Sequence, residues 1–322
     1  MSTSSTSSTS SASSTLPAAI VDSHHHLWRL GPARYPWLQE RYDAAAFFLG
    51  DYTALRQDFA PADYLRQWDG LPLAASVHVE AERHADESVA ETAWLHQVHA
   101  RHGFPNAVVA HADFNSDTLA DQLRAHQAFP LVRGVRCKPR TSRTADDSVR
   151  GQPGTLQDPR WQSGLQRLAE HGLAWDLRVP WWHLEEAAEA IAAVPGLDVV
   201  VEHTGLPWDR TEAGLSGWRR GLAALASLPG VHLKLSEFGL PGASWDRAGN
   251  AAVIRQALEI FGWQRCMFAS NLPVSGLRAS LHEIVNTVAA ALEGLPNAAA
   301  HAVWHDNAMR FYRIGAPVAS LR

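Results

Sequence analysis

Residues 18–28 read Ala18-Ala19-Ile20-Val21-Asp22-Ser23-His24-His25-His26-Leu27-Trp28, an apolar run of strand type that ends in three consecutive imidazoles. Two architectures open on such a strand: a doubly wound open sheet and a closed barrel. A dinucleotide-binding open sheet needs a glycine-rich turn after its first strand, so that backbone can approach a pyrophosphate. Three histidines occupy that place here, which makes the open sheet the weaker reading. Side chains alternate along a strand, so His24 and His26 point to one side and His25 to the other. Two neutral imidazoles converging on one spot suit a divalent metal or a polarised carbonyl, and few structural needs call for such a pair. The run therefore points to an enzyme.

Further along the chain, β-rich apolar runs recur at 75–80, 107–112, 131–136, 174–179, 198–202, 232–236 and 266–269, which with 19–22 makes eight. Between them lie stretches with apolar residues at helical spacing, at 87–102, 116–127, 159–171, 184–194, 215–228, 251–261 and 281–292. Strand and helix alternating eight times predict a (β/α)8 TIM barrel, an α/β fold in a single domain over residues 16–322. Residues 1–15 are almost all Ser and Thr, without basic residues or an apolar core, and read as a disordered tail and not a secretory signal. The long connection 29–72, containing Tyr35-Pro36-Trp37-Leu38, is the largest insertion and a candidate lid. Residues 301–312 read as a closing helix, with Asp306 or Asn307 as a cap or turn residue.

The chain has 322 residues, 46% of them hydrophobic, with a formal net charge of -5. That balance offers no basic surface for phosphate backbones, so a small molecule is the expected partner and nucleic acid is not. No apolar stretch is long enough to span a bilayer, so no membrane partner is expected. The two cysteines, Cys137 and Cys266, are far apart and outside any CxxC arrangement, which fits a reduced, cytoplasmic protein without a thiolate zinc site. Oligomeric state is open, a homo-oligomer included.

In a barrel of this kind chemistry gathers where the strands end. The polar residues there are His24 and His26; Glu80; His111 and Asp113; Arg136 and Lys138; Arg178; Glu202 and His203; Lys234, Ser236 and Glu237; Ser270 and Asn271. Arg136, Arg178 and Lys138 are candidate substrate-binding cations, as an anionic substrate would require. Trp208, in the loop after His203, is the tryptophan to test first as a pocket wall.

Several motifs share an order and spacing with a known family. They are 22–28 with Tyr35-Pro36-Trp37-Leu38, Gly134-Val135-Arg136, Glu202-His203-Thr204-Gly205-Leu206-Pro207, Lys234-Leu235-Ser236, and Met267-Phe268-Ala269-Ser270-Asn271-Leu272-Pro273-Val274, then Asn307-Ala308 with Phe311-Tyr312. On these the chain resembles the amidohydrolase-related proteins of the metal-dependent hydrolase superfamily, in particular its branch of sugar and dicarboxylate lactonases. The resemblance spans nearly the whole folded region. It implies a hydrolase in which His24, His26 and His203 face the substrate carbonyl, and in which an aspartate at the end of strand eight accepts the proton of the attacking water. This sequence has Asn271 there, and an amide cannot take that proton.

Glu80 is then the first candidate for the vacant role, because it closes strand two beside strand one and shares parity with His78; Glu237 is the second. His24, His26 and His203 with Glu80 would hold zinc or manganese. Related lactonases work with and without metal, and in a metal-free site the imidazoles would bond the carbonyl directly. The implied function is hydrolysis of a small anionic or polyhydroxylated lactone. The alternatives are a metal-dependent decarboxylase of the same superfamily and a barrel that binds a small acid without turnover.

Overall fold

Every apolar run forms a strand in the computed structural model, which describes residues 17–315. The strands are β1 (Ile20–His25), β2 (Leu73–Val79), β3 (Ala107–Ala110), β4 (Val132–Val135), β5 (Ala174–Leu177), β6 (Val199–Val201), β7 (Val231–Leu235) and β8 (Cys266–Phe268). They pair in chain order and in parallel, with helices between them, and give the expected (β/α)8 barrel in one domain. The expected tail, 1–15, lies outside the described residues.

The ring is joined between β8 and β1 mainly by residues at and beyond the strand ends. Ser23 Oγ donates to Phe268 O at 2.7 Å. The Asn271 N–H bonds His24 O, and the His26 N–H bonds Leu272 O, each at 2.8 Å. Asp22 clamps the same seam, accepting the Ser270 N–H at 2.8 Å, Ser270 Oγ at 2.6 Å and Tyr64 OH at 2.8 Å. The first strand is thus tied to the chemistry-bearing turn after the last.

Two apolar layers follow from the alternation. Outward residues such as Val108, Leu177, Val201 and Leu233 pack under the helices. Val21, Val77, Val109, Val200 and Met267 form a second cluster, with Phe311 and Tyr312 of the C-terminal segment. Each such side chain contributes roughly 1.5–3 kcal/mol on burial, so this cluster fixes the floor beneath the polar residues. Gly134 in β4 belongs to that interior: a Cβ there would lie 2.8 Å from Ala174 O. Only glycine lets β4 and β5 approach so closely.

The helices begin where capping residues permit. Asp158, Thr211, Asp246 and Ser280 each accept a backbone N–H of the helix that follows, and Ser280 with Glu283 forms a capping box. The closing helix contains a π-helical stretch, Ala302–Asp306. Asn307 is not a cap: its Nδ2 donates to Trp263 O and Cys266 O, both at 2.7 Å, and pins the closing helix to the base of β8. Both cysteines are buried and free. Among the described residues no helix is long and apolar enough to cross a membrane.

The insertion 29–72 builds a small core of its own, with Trp28, Tyr35, Leu38, Leu49 and Tyr52 packed on Ala81 and Val274 from the strand-end loops. It sits over the barrel mouth as a roof.

Candidate active site

Past the end of β1, His26 Nδ1 lies 2.8 Å from Val79 O. A carbonyl only accepts, so Nδ1 carries the proton and a neutral ring leaves a lone pair on Nε2. His24 Nε2 is 3.2 Å from that lone pair. On its other side, His24 Nδ1 is 3.3 Å from Lys234 Nζ and 3.4 Å from Glu202 Oε1. His203 has its Nδ1 at 3.0 Å from Ser236 Oγ and its ring centroid 4.7 Å from that of His24. The three histidines expected to meet do meet. His25 faces the helices, stacked on Tyr64 at 4.1 Å.

Burial holds all three ring pKa values well below the usual imidazole range, and neighbouring cations add to it: Lys234 for His24, Arg136 for His26, Arg178 for His203. All three are neutral at physiological pH. Two proton arrangements satisfy the His24–His26 contact. In one, His24 donates from Nε2 to His26 and accepts from Lys234. In the other, both Nε2 lone pairs face a cation and His24 donates from Nδ1 to Glu202, the pattern in which a carboxylate orients a ligating imidazole. His24, Glu202 and His203 each offer a ligand atom within 4.8 Å of the others. This nitrogen and oxygen donor set fits a borderline divalent ion.

Glu202 and His203 are consecutive, so strand alternation would place them on opposite faces. They reach the same site because the backbone turns left-handed at His203 (φ 57°) and Thr204 (φ 57°). Glu82, Glu237 and Asn271 at neighbouring strand ends also hold positive φ, at 56°, 56° and 51°. Such conformations cost on the order of 1–3 kcal/mol each in a non-glycine residue, and they concentrate around this mouth.

Glu80, expected among the imidazoles as a metal ligand and base, is engaged elsewhere. It holds Arg136 Nε at 2.6 Å through Oε1 and Arg136 Nη2 at 2.5 Å through its carbonyl. Burial would raise its pKa, but Arg136, with His111, Lys138 and the Glu82 N–H, together outweigh that and hold it at about 2, too weak a base for neutral pH. The carboxylate that stands beside the imidazoles is Glu202, which also bonds Arg136 Nη1 at 3.3 Å. The sequence marked it only as a polar residue at the end of the sixth strand, next to His203.

The remaining expected residues line one cavity of about 760 Å³, with His26, His203, Arg136, Lys138, Arg178, Trp208 and Asn271 on its walls. Lys138 pairs with Glu82. Arg178 stands over the Phe48 ring at 4.9 Å, and Trp208 stacks on the same ring at 5.5 Å. Asn271 Nδ2 donates to Glu237 Oε2 at 2.5 Å, and Ser275 Oγ donates to the same oxygen at 2.8 Å. Asn271 Oδ1 and Glu237 Oε1 are buried without a donor. Burial raises Glu237 to about 7 against those two hydrogen bonds. Below, Lys234 Nζ meets Asp176 Oδ2 at 2.5 Å, and Tyr312 OH bonds that same oxygen at 2.8 Å.

A family model described as amidohydrolase matches residues 21–314. The chain is 33% identical over 296 residues to an uncharacterised protein, y4mH, of Sinorhizobium fredii, covering 92% of this chain and 99% of that one. It is 29% identical over 310 residues to an L-fucono-1,5-lactonase of Burkholderia multivorans, covering 92% and 97%. Among solved structures, an amidohydrolase from Burkholderia multivorans with bound zinc superimposes with a TM-score of 0.75 at 28% identity, covering 92% of this chain and all of that one.

Proposed function

The chain belongs to the amidohydrolase family, and from that premise we propose that it is a hydrolase opening the ester bond of a small lactone. The observation that carries the reading is the meeting of His24, His26 and His203 at the barrel mouth, each ring with its Nδ1 held by a protein partner. The similarity to lactonases over 92% of the chain supports the same bond type.

His26 and His203 lie on the cavity wall and face the lactone carbonyl. Asn271 orients the attacking water: its Nδ2 is committed to Glu237, so its oxygen is left as an acceptor. The two donorless acceptors on this amide–carboxylate pair call for a water that donates to them. Glu237 takes the place of the missing strand-eight aspartate as proton reservoir. A carboxyl at about 7 can accept a proton and return it at neutral pH, exchanging with the cavity through the water at Asn271. The proton then goes to the alkoxide that leaves when the ring opens.

His24, His26 and His203, with Glu202 beside them, would hold a zinc or manganese ion, and a bound ion supplies Lewis-acid polarisation of the carbonyl. The zinc-bearing relative supports that assignment.

The test is a panel of sugar lactones and cyclic dicarboxylate esters, assayed by proton release on metal-stripped protein and on protein reloaded with zinc or manganese. Ring opening with stoichiometric acid release is expected. Carbon dioxide release with proton uptake from carboxylated substrates would replace this reading with the decarboxylase one.

A further inference from the structure

The closing helix carries a second group of ligand atoms, on its outer side. It begins as an α-helix over Asn297–His301, widens to a π turn over Ala302–Asp306 and returns to α-helix over Asn307–Phe311, with the Asn307 N–H bonding Ala302 O. Val303 and Trp304 are buried, the Trp304 ring lying 4.9 Å from that of Phe268 on β8. His301, His305 and Asp306 face solvent, with side chains 45%, 25% and 48% exposed. In an α-helix a residue five positions on lies about 140° round the axis. The wider π turn instead brings Asp306 back over His301, beside His305. Asp306 Oδ1 therefore meets both rings, 3.3 Å from His301 Nε2 and 2.8 Å from His305 Nδ1, and the two rings stack with centroids 5.1 Å apart.

We infer that His301, His305 and Asp306 form a surface site for a zinc-like divalent ion, separate from the imidazoles at the barrel mouth. Their three ligand atoms lie within 4.8 Å of one another. Zinc binds nitrogen and carboxylate oxygen at about 2.0–2.2 Å, so neighbouring ligands of a tetrahedral ion stand about 3.3 Å apart and those of an octahedral ion about 2.9 Å. Both distances to Asp306 Oδ1 already match such edges. The His305 hydrogen bond holds the Asp306 carboxyl below the ordinary carboxylate range, so it supplies a full negative charge. A neutral imidazole carries its proton on either nitrogen, so His305 frees Nδ1 for the ion by moving that proton to Nε2. Two imidazoles and one carboxylate suit zinc, nickel or copper and not magnesium or calcium, which take oxygen donors. Water completes the shell on the exposed side. The bound ion ties the turn before the π stretch to the turn after it, and so holds Trp304 on β8.

The test uses the full chain without added histidines, stripped by a chelator and titrated with zinc against a chromophoric zinc indicator. Wild type is expected to take up one zinc per chain more than the double variant His301→Ala, His305→Ala, and equal uptake by the two proteins would overturn the inference. Because the difference is read, the result is independent of the barrel mouth: one zinc in wild type and none in the double variant leaves the surface site standing and removes the ion from the mouth. His301→Ala alone, a change at an exposed side chain that spares the fold, should weaken the extra zinc by about 10- to 100-fold, the scale on which even outer partners of a ligand count. Diethylpyrocarbonate labelling read by mass spectrometry places the ion. Zinc should protect His301 and His305 and leave the exposed His102 equally reactive. Equal labelling of His301 and His305 with and without zinc would mean a hydrogen-bonded trio only, and the site falls.

Discussion

Asn271 donates its side-chain N–H to Glu237 at 2.5 Å, with both residues in left-handed backbone at the ends of adjacent strands. The amide at 271 and the carboxyl at 237 are therefore one unit. An aspartate at 271 would face Glu237 with no donor between them unless the two shared a proton, and neighbouring carboxyls raise one another's pKa. Asn271→Asp is accordingly expected to lower kcat at pH 8 and not to improve it, and to lower Tm more at pH 8 than at pH 6. The double variant Asn271→Asp, Glu237→Gln should recover the lost Tm. A single Asn271→Asp enzyme that is faster and equally stable at pH 8 would show that the two sites act independently.

Arg136 is expected to matter first for stability. It is buried and compensates both Glu80 and Glu202, which burial alone would drive toward protonation. Removing one member of a buried ion cluster typically costs about 3–5 kcal/mol. Arg136→Met should thus unfold at clearly lower denaturant concentration than wild type, and Arg136→Lys should rescue it only partly, since an ammonium cannot span the two carboxylates as the guanidinium does. Denaturation midpoints against KM for one lactone check this: a large KM change with an unchanged midpoint would assign Arg136 to substrate instead.

His203 is positioned by Ser236 and lies buried at the cavity wall, where an asparagine fits within the space of the imidazole and can keep a hydrogen bond to Ser236. His203→Asn should reduce kcat by roughly 10²–10⁴-fold, the scale for a group acting on the reacting atoms, while Tm moves by a few degrees at most. Activity within tenfold of wild type would remove it from the reaction.

The barrel was legible because its strands are short runs of Val, Leu and Ala separated by helical periodicity, and because a histidine triplet replaced the glycine turn of the competing fold. The site was legible where side chains project by strict alternation: His24 and His26 on one face, Arg136 and Arg178 at strand ends. It was not legible where alternation stops. Glu202 lies beside His203 only through a positive φ that no residue type announced. Glu80 has the parity expected of it, but a guanidinium on β4 captures it, and pairing across strands is set by side-chain reach and charge, which sequence spacing does not encode. Phe48 came from a connection readable only as a long insertion, and its place over Arg178 depends on how that loop packs its own core.

Glu91 and Glu237 make stability sensitive to pH above neutrality. Glu91, buried on helix Ser88–His102, accepts the Ala81 N–H at 3.2 Å and lies near Glu80; burial, then the charge of Glu80, push its carboxyl up to about 8. Glu237 stands at about 7. Both values are above the ordinary 4.5 of the unfolded chain, so between those limits these two carboxyls bind more protons in the folded state than in the unfolded one. The contribution of these two carboxyls to stability then falls as pH rises from the ordinary glutamate range through about 7 for Glu237 and about 8 for Glu91, with the full penalty present above those values. Glu91→Gln keeps the shape and the acceptor for Ala81 but cannot ionise. It should match wild type near pH 5 and exceed it in denaturant midpoint at pH 9, with a shallower decline between them. Parallel curves for the two proteins across that range would mean that Glu91 ionises in the folded state as readily as in water.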